Sequence, residues 1–94
     1  MSEETKSYNI DVVMKNLDGS EIKEGEELVM LNKIIANTLI QAREGDSARN
    51  YSLAIELFKG GKELNDNDAE YINTQLKATK ASPLVVGQFA ELTK

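Results

Sequence analysis

The chain has 94 residues and contains no cysteine, no histidine and no tryptophan, with one proline (Pro83) and five aromatics. Each shortage closes a route. Without cysteine there is no disulfide, no thiol nucleophile and no thiolate zinc site, and a reducing cytosol is the natural setting. Without histidine the commonest general base and the commonest transition-metal ligand are both missing. Tyr8, Tyr51, Phe58, Tyr71 and Phe89 are the only rings, so the core must be mainly aliphatic. No stretch reaches the roughly eighteen apolar residues of a membrane span. Met1-Ser2-Glu3-Glu4 opens without a basic stretch followed by an apolar one, so no secretory signal is expected.

What remains is globular in character. Apolar residues are 40% and charged residues 29%, too apolar and too balanced for a disordered chain. This length supports one small domain, which buries about 60–65% of the surface its unfolded chain exposes. Residues 8–94 are expected to form that domain, with residues 1–7 as a flexible polar lead-in.

The charge is unevenly placed. Residues 1–28 carry eight acids and three lysines, a net of −5, while residues 29–94 carry eight acids and eight bases. An acidic surface repels phosphate backbones, which argues against direct nucleic-acid binding and is compatible with a basic groove on another protein. Asp18, Glu21, Glu24, Glu26 and Glu27 are the candidate partner-binding residues. The plainer reading is a solvated acidic face that keeps a small protein soluble.

Tyr8, Ile10, Val12 and Met14 alternate with Asn9, Asp11, Val13 and Lys15, the period of a half-buried strand. Asp18-Gly19 is a strong hairpin signal, and Glu21-Ile22-Lys23 is the expected return strand, ended by Gly25. Leu28, Leu31, Ile35, Leu39 and Ala42 then recur at helical spacing, with Glu24, Glu26 and Glu27 near the start, where acids favour the helix dipole. Asp46 or Ser47 caps a second helix with Tyr51, Ala54, Ile55 and Phe58 on one side, and Gly60-Gly61 ends it. Asn65 or Asp66 caps a third helix from Asp68 to about Lys80; Ser82 caps a fourth with Pro83 at its first position. The fold expected is α+β and mostly helical: an N-terminal β-hairpin followed by four short packed helices.

Three motifs invite chemistry and fail on their spacing. From Asp66, a calcium loop would need glycine at its sixth position and glutamate at its twelfth, where Tyr71 and Lys77 stand. Lys59-Gly60-Gly61-Lys62 lacks the spacing and the hydroxyl residue of a phosphate loop, and a helix C-terminus is the better account. Serines are present, but no histidine or serine-x-x-lysine arrangement activates one, and solvated carboxylates keep low pKa values. No catalytic, cofactor-binding or metal residues are assigned, and no enzyme is expected.

Leu28–Leu39, Leu53-Ala54-Ile55-Glu56-Leu57, Asp68 with Tyr71-Ile72, and Ser82-Pro83-Leu84-Val85-Val86-Gly87-Gln88 resemble small proteins of tailed bacteriophages and prophages. The resemblance covers roughly two-thirds of the chain, from residue 28 onward. It implies phage origin and residence in the host cytosol, and brings no active-site residues with it. Small acidic phage proteins of this kind commonly act by occupying a surface on a host or phage protein, host defence complexes included.

The function expected is therefore a non-enzymatic phage accessory protein that binds a host or phage protein with a basic surface and inhibits a host defence or regulatory complex. One alternative is an assembly or chaperone-like component that forms a homo-oligomer through Val85, Phe89 and Leu92 of the last helix. Another is a protein that sequesters a nucleotide signal using Lys33, Arg43, Arg49, Lys59, Lys62, Lys77 and Lys80, which cluster in no recognised motif.

Overall fold

A computed structural model describes residues 7–43 and 45–93; the expected flexible lead-in, apart from Ser7, lies outside the described residues. In chain order the elements are β1 (Tyr8–Asn9), β2 (Lys23–Glu24), β3 (Glu27–Leu28), α1 (Leu31–Gln41), α2 (Ser47–Lys59), β4 (Glu63–Leu64), α3 (Asp66–Ala78) and α4 (Pro83–Leu92). The fold is α+β and mostly helical, as its periodicities require.

The hairpin turn forms where Asp18-Gly19 directs it. Gly19 takes φ +89°, its N–H bonds to the Asn16 carbonyl, and Lys15 pairs with Glu21 across the turn. The strand before it is broken, which corrects the single run from Tyr8 to Lys15. Val12 N–H turns back to the Ile10 carbonyl and Asp11 N–H to the Asn9 side chain, so the chain bends at Asp11. On one side of the bend β1 pairs antiparallel with β4, Tyr8 opposite Leu64. On the other, Val13 pairs with Met30. The alternation still decides which side chains go inward: Ile10 and Met14 are buried, and Tyr8 and Val12 pack against the core.

A second hairpin joins β2 to β3 around Gly25 (φ +67°), with Lys23 opposite Leu28 and Glu24 opposite Glu27. The first helix therefore starts at Leu31, and Glu24, Glu26 and Glu27 belong to this hairpin instead of to a helix N-terminus. The physical reason is backbone pairing. Val29 bonds to Met14 and Ile22, and the Leu31 N–H, an orphan donor at a helix start, is taken by the Val12 carbonyl.

The other helices begin at side-chain caps. Asp46 accepts from Arg49 N–H, Asn65 from Asp68 N–H, and Ser82 from Val85 N–H with Pro83 behind it. Leu31, Ile35, Ala36 and Leu39 turn the buried stripe of α1 inward, and α1 packs against α2, α3 and α4. Leu53, Ala54 and Leu57 face it from α2, Ile72 and Leu76 from α3, and Val85 and Phe89 from α4. Two contacts across the chain fasten the N-terminal segment to this bundle. The Tyr8 hydroxyl donates to the Asp66 carboxylate at 2.5 Å, and the Asp11 carboxylate accepts from Gly61 N–H.

The end of α3 is strained. Ala81 N–H bonds to the Leu76 carbonyl and Lys80 N–H to that of Lys77, a Schellman motif that leaves Lys80 at φ +58°. A side chain in that conformation costs about 1 kcal/mol relative to glycine. Lys80→Gly is expected to raise stability by about 1 kcal/mol, seen as a melting temperature several degrees higher. No gain would mean the turn is not left-handed.

Donation to Asp66 holds the Tyr8 phenol above its ordinary value of 10.0, because the bond favours the protonated ring. Its stabilisation is complete below the unfolded tyrosine value and is lost as pH rises through the folded one. An NMR titration should show Tyr8 ionising late, and Asp66→Asn should return it toward 10.0.

Candidate interaction surfaces

Several groups that suggested chemistry in the sequence have internal partners. Asp66 meets Tyr8, and Asp68 forms a 3.1 Å ion pair with Arg49. The Gly61 N–H in the Lys59–Lys62 stretch points at the Asp11 carboxylate, so the corner that resembles a phosphate cradle already holds an anion of the chain's own. The bases considered for a nucleotide are dispersed: Lys62 pairs with Glu56, Arg49 with Asp68, and Lys33 stands over Phe58. Among the described residues no group of three or more acids could hold a metal ion.

A polar network ties α2 to α3. The Tyr71 hydroxyl accepts from Asp46 N–H at 2.9 Å and donates to the Asn50 side-chain carbonyl. Asn50 passes the chain on to Gln75, and both are buried. The Arg49 guanidinium lies 4.2 Å from the centre of the Tyr71 ring, between that ring and Asp68. These groups satisfy one another and set the angle at which α2 is held.

The five candidate acids, Asp18, Glu21, Glu24, Glu26 and Glu27, are all exposed on the two hairpins, and none forms an ion pair among the described residues. Glu24 and Glu27 are directly opposite, an arrangement that destabilises a sheet. The Asp18 carboxyl is held below its ordinary value by the Ser20 hydroxyl and backbone N–H that donate to it, so it stays ionised in mild acid.

The last helix departs from expectation. Val85 and Phe89 are buried in the chain's own core, and Leu92 packs against that core. An oligomer contact through Val85 and Phe89 would require the bundle to open, so those positions are corrected to core. Their burial follows from α4 having to cover the faces of α1 and α3.

Of the apolar residues expected on one side of the second helix, Ala54 is buried and the others lie outside. Tyr51 is 61% exposed, Phe58 54% and Ile40 52%, and Ile55 is also exposed. Tyr51, Ile55 and Phe58 follow at i, i+4 and i+7 along one line of α2, with Ile40 facing them from α1. Ala36 and Ala54 floor a groove of about 250 Å³ between the two helices, edged by Asn37 and Lys59. The core of α2 is instead the adjacent line of Asn50, Leu53, Ala54 and Leu57. Leu17, beside Asp18 at the first turn, is 99% exposed. A leucine amid turn residues was the available signal for it.

No protein-family model, curated protein or solved structure matches the chain. No helix among the described residues is long and apolar enough to cross a membrane.

Tyr71→Phe removes one hydroxyl from the network and leaves the ring beneath Arg49. It should lower stability by about 1 kcal/mol and the melting temperature by several degrees. An unchanged melt would show that the hydroxyl does not tie α2 to α3.

Proposed function

We propose that the chain is a non-catalytic binding protein that grips another protein through the outer face of α1 and α2. The observation that carries this reading is the exposed line of Tyr51, Ile55 and Phe58 with Ile40 opposite. A small domain short of aromatics gains stability by burying them, and two of its five are outside. Tyrosine and other aromatics held on a rigid helix are the anchors from which binding hot spots are built. The groove floored by alanines fits a partner helix, whose apolar residues would sit between α1 and α2.

The acidic hairpins serve the same function by a longer-ranged force. Their carboxylates steer the protein toward a basic surface and raise the association rate, an effect that salt weakens. We propose a partner in an infected cell, with a defence or regulatory complex as the target, on the resemblance read from residues 28 onward to small tailed-phage proteins. Occupying such a surface inhibits by exclusion and needs no reaction.

A second reading, assembly of the chain with itself, is favoured by the same exposed face, now in place of Val85 and Phe89. Light scattering separates the two: a stable oligomer of the purified chain that Phe58→Ser dissolves selects self-assembly.

The test is capture from host lysate with mass spectrometry, repeated with Tyr51→Ser/Phe58→Ser and with Glu24, Glu26 and Glu27 changed to lysine. The serine pair should weaken the captured complex by about thirtyfold or more at unchanged melting temperature. The charge reversal should slow association and remove most of its salt dependence. A partner retained equally by all three proteins would overturn the reading.

A further inference from the structure

The groove between α1 and α2 carries charge of one sign, gathered at one end. Lys33 lies near the start of α1 and Phe58 near the end of α2, and the Lys33 ammonium stands 5.5 Å from the centre of the Phe58 ring, so the two helices run antiparallel. That contact holds a cation beside an exposed ring and leaves its charge uncompensated. Lys59 edges the groove at the same end and is the charged residue in its lining. Neither lysine forms an ion pair among the described residues, and Glu56, the acid closest to Lys59 in sequence, is taken by Lys62 at 3.3 Å. Away from the lysines the groove continues over Ala36 and Ala54 between Ile40 and Ile55, with Tyr51 exposed beyond them on α2. The face is thus cationic at one end and apolar along the rest.

We propose that the occupant of this groove is an acidic amphipathic helix of another protein, with carboxylates over Lys33 and Lys59 and apolar side chains above Ala36 and Ala54. The inference rests on the reading of the α1–α2 face as a docking surface and names what docks there. Charge selects the occupant. A helix with lysine or arginine at its flank would set like charges together at Lys33 and Lys59, whereas glutamate or aspartate there completes the pairs that the chain itself leaves open. The alanine floor lets the apolar stripe of that helix sit low, so that Phe58 and Ile55 are covered from one side and Ile40 from the other. The hairpin carboxylates call for the opposite charge. The partner therefore presents an acidic helix next to a basic surface, and a protein of one charge throughout satisfies only half of the interface.

The test uses two alanine-based peptides of about sixteen residues, both with leucine at i, i+3, i+4 and i+7, one with three flanking glutamates and the other with lysines at the same positions. Nitrogen-15 NMR of the full chain at low salt should show the glutamate peptide moving Ile40, Tyr51, Ile55 and Phe58, and the lysine peptide leaving those four in place. Lys33→Glu/Lys59→Glu should weaken the glutamate peptide about tenfold and admit the lysine peptide to the same four residues, with the melting temperature nearly unchanged. Lys33→Gln/Lys59→Gln should fall between the two. Equal binding of both peptides at this face, or undiminished affinity for the glutamate peptide in the charge-reversed chain, would overturn the inference while leaving the face as a docking surface. A glutamate peptide that does not bind, or that binds Tyr51→Ser/Phe58→Ser as it binds the parent, would overturn the inference, and the second result would remove the reading of the face as well. A dimer of the free chain that the serine pair dissolves would overturn it too, since the occupant would then be a second copy.

Discussion

Three helices meet one stripe. Leu31, Ile35 and Leu39 of α1 are each fully buried, and α2, α3 and α4 all pack against that helix. Because α1 lies at the centre, no element among the described residues covers the far side of α2. Burying Phe89 completes the core with aliphatic neighbours, and among the described residues Tyr51 and Phe58 stay exposed. In a domain this small, every buried ring contributes a sizeable fraction of a marginal stability. An arrangement that leaves two rings in water gives up stability that the fold could have had. The polar tie from Asp46 through Tyr71 and Asn50 to Gln75 then holds α2 so that this face stays presented.

The N-terminal segment is organised by a different constraint. Short strands cannot persist alone, and three points of this segment are secured by something distant in sequence: β1 by β4, the bend at Asp11 by Gly61, and the first turn by Gln88. The double hairpin is thus a carrier for carboxylates, pinned to a bundle that does not depend on them. Opposing Glu24 to Glu27 works against the sheet. Such a device makes sense if the charges act on something outside the chain.

Much of this was legible in the residues. The sequence offered Asp46 or Ser47, Asn65 or Asp66, and Ser82 as caps. Asp46, Asn65 and Ser82 take that role, because a short polar side chain before an apolar stripe has few other uses. The third helix starts at Asp66, two residues before the expected Asp68. Asp18-Gly19 fixed the first turn. The break at Asp11 and the pairing of β1 with β4 were not legible, since they involve groups fifty or more residues apart. The side of α2 that faces inward was not legible either. Tyr51, Leu53, Ala54, Ile55, Leu57 and Phe58 surround more than half of the helix, so spacing alone cannot choose between two adjacent apolar lines. The acids read as candidates are where a partner could reach them, while Val85 and Phe89, read as a contact, are interior.

The central claim is that Tyr51 and Phe58 are exposed in the free chain so that another protein can cover them. Hydroxyl-radical footprinting tests it most directly, because aromatic side chains are oxidised quickly only when radicals reach them. The account predicts fast oxidation of both rings in the dilute purified chain and strong protection of both in the complex recovered from host cells, with Phe89 protected throughout. Equal oxidation of Tyr51 and Phe58 in the free chain and in that complex would contradict it.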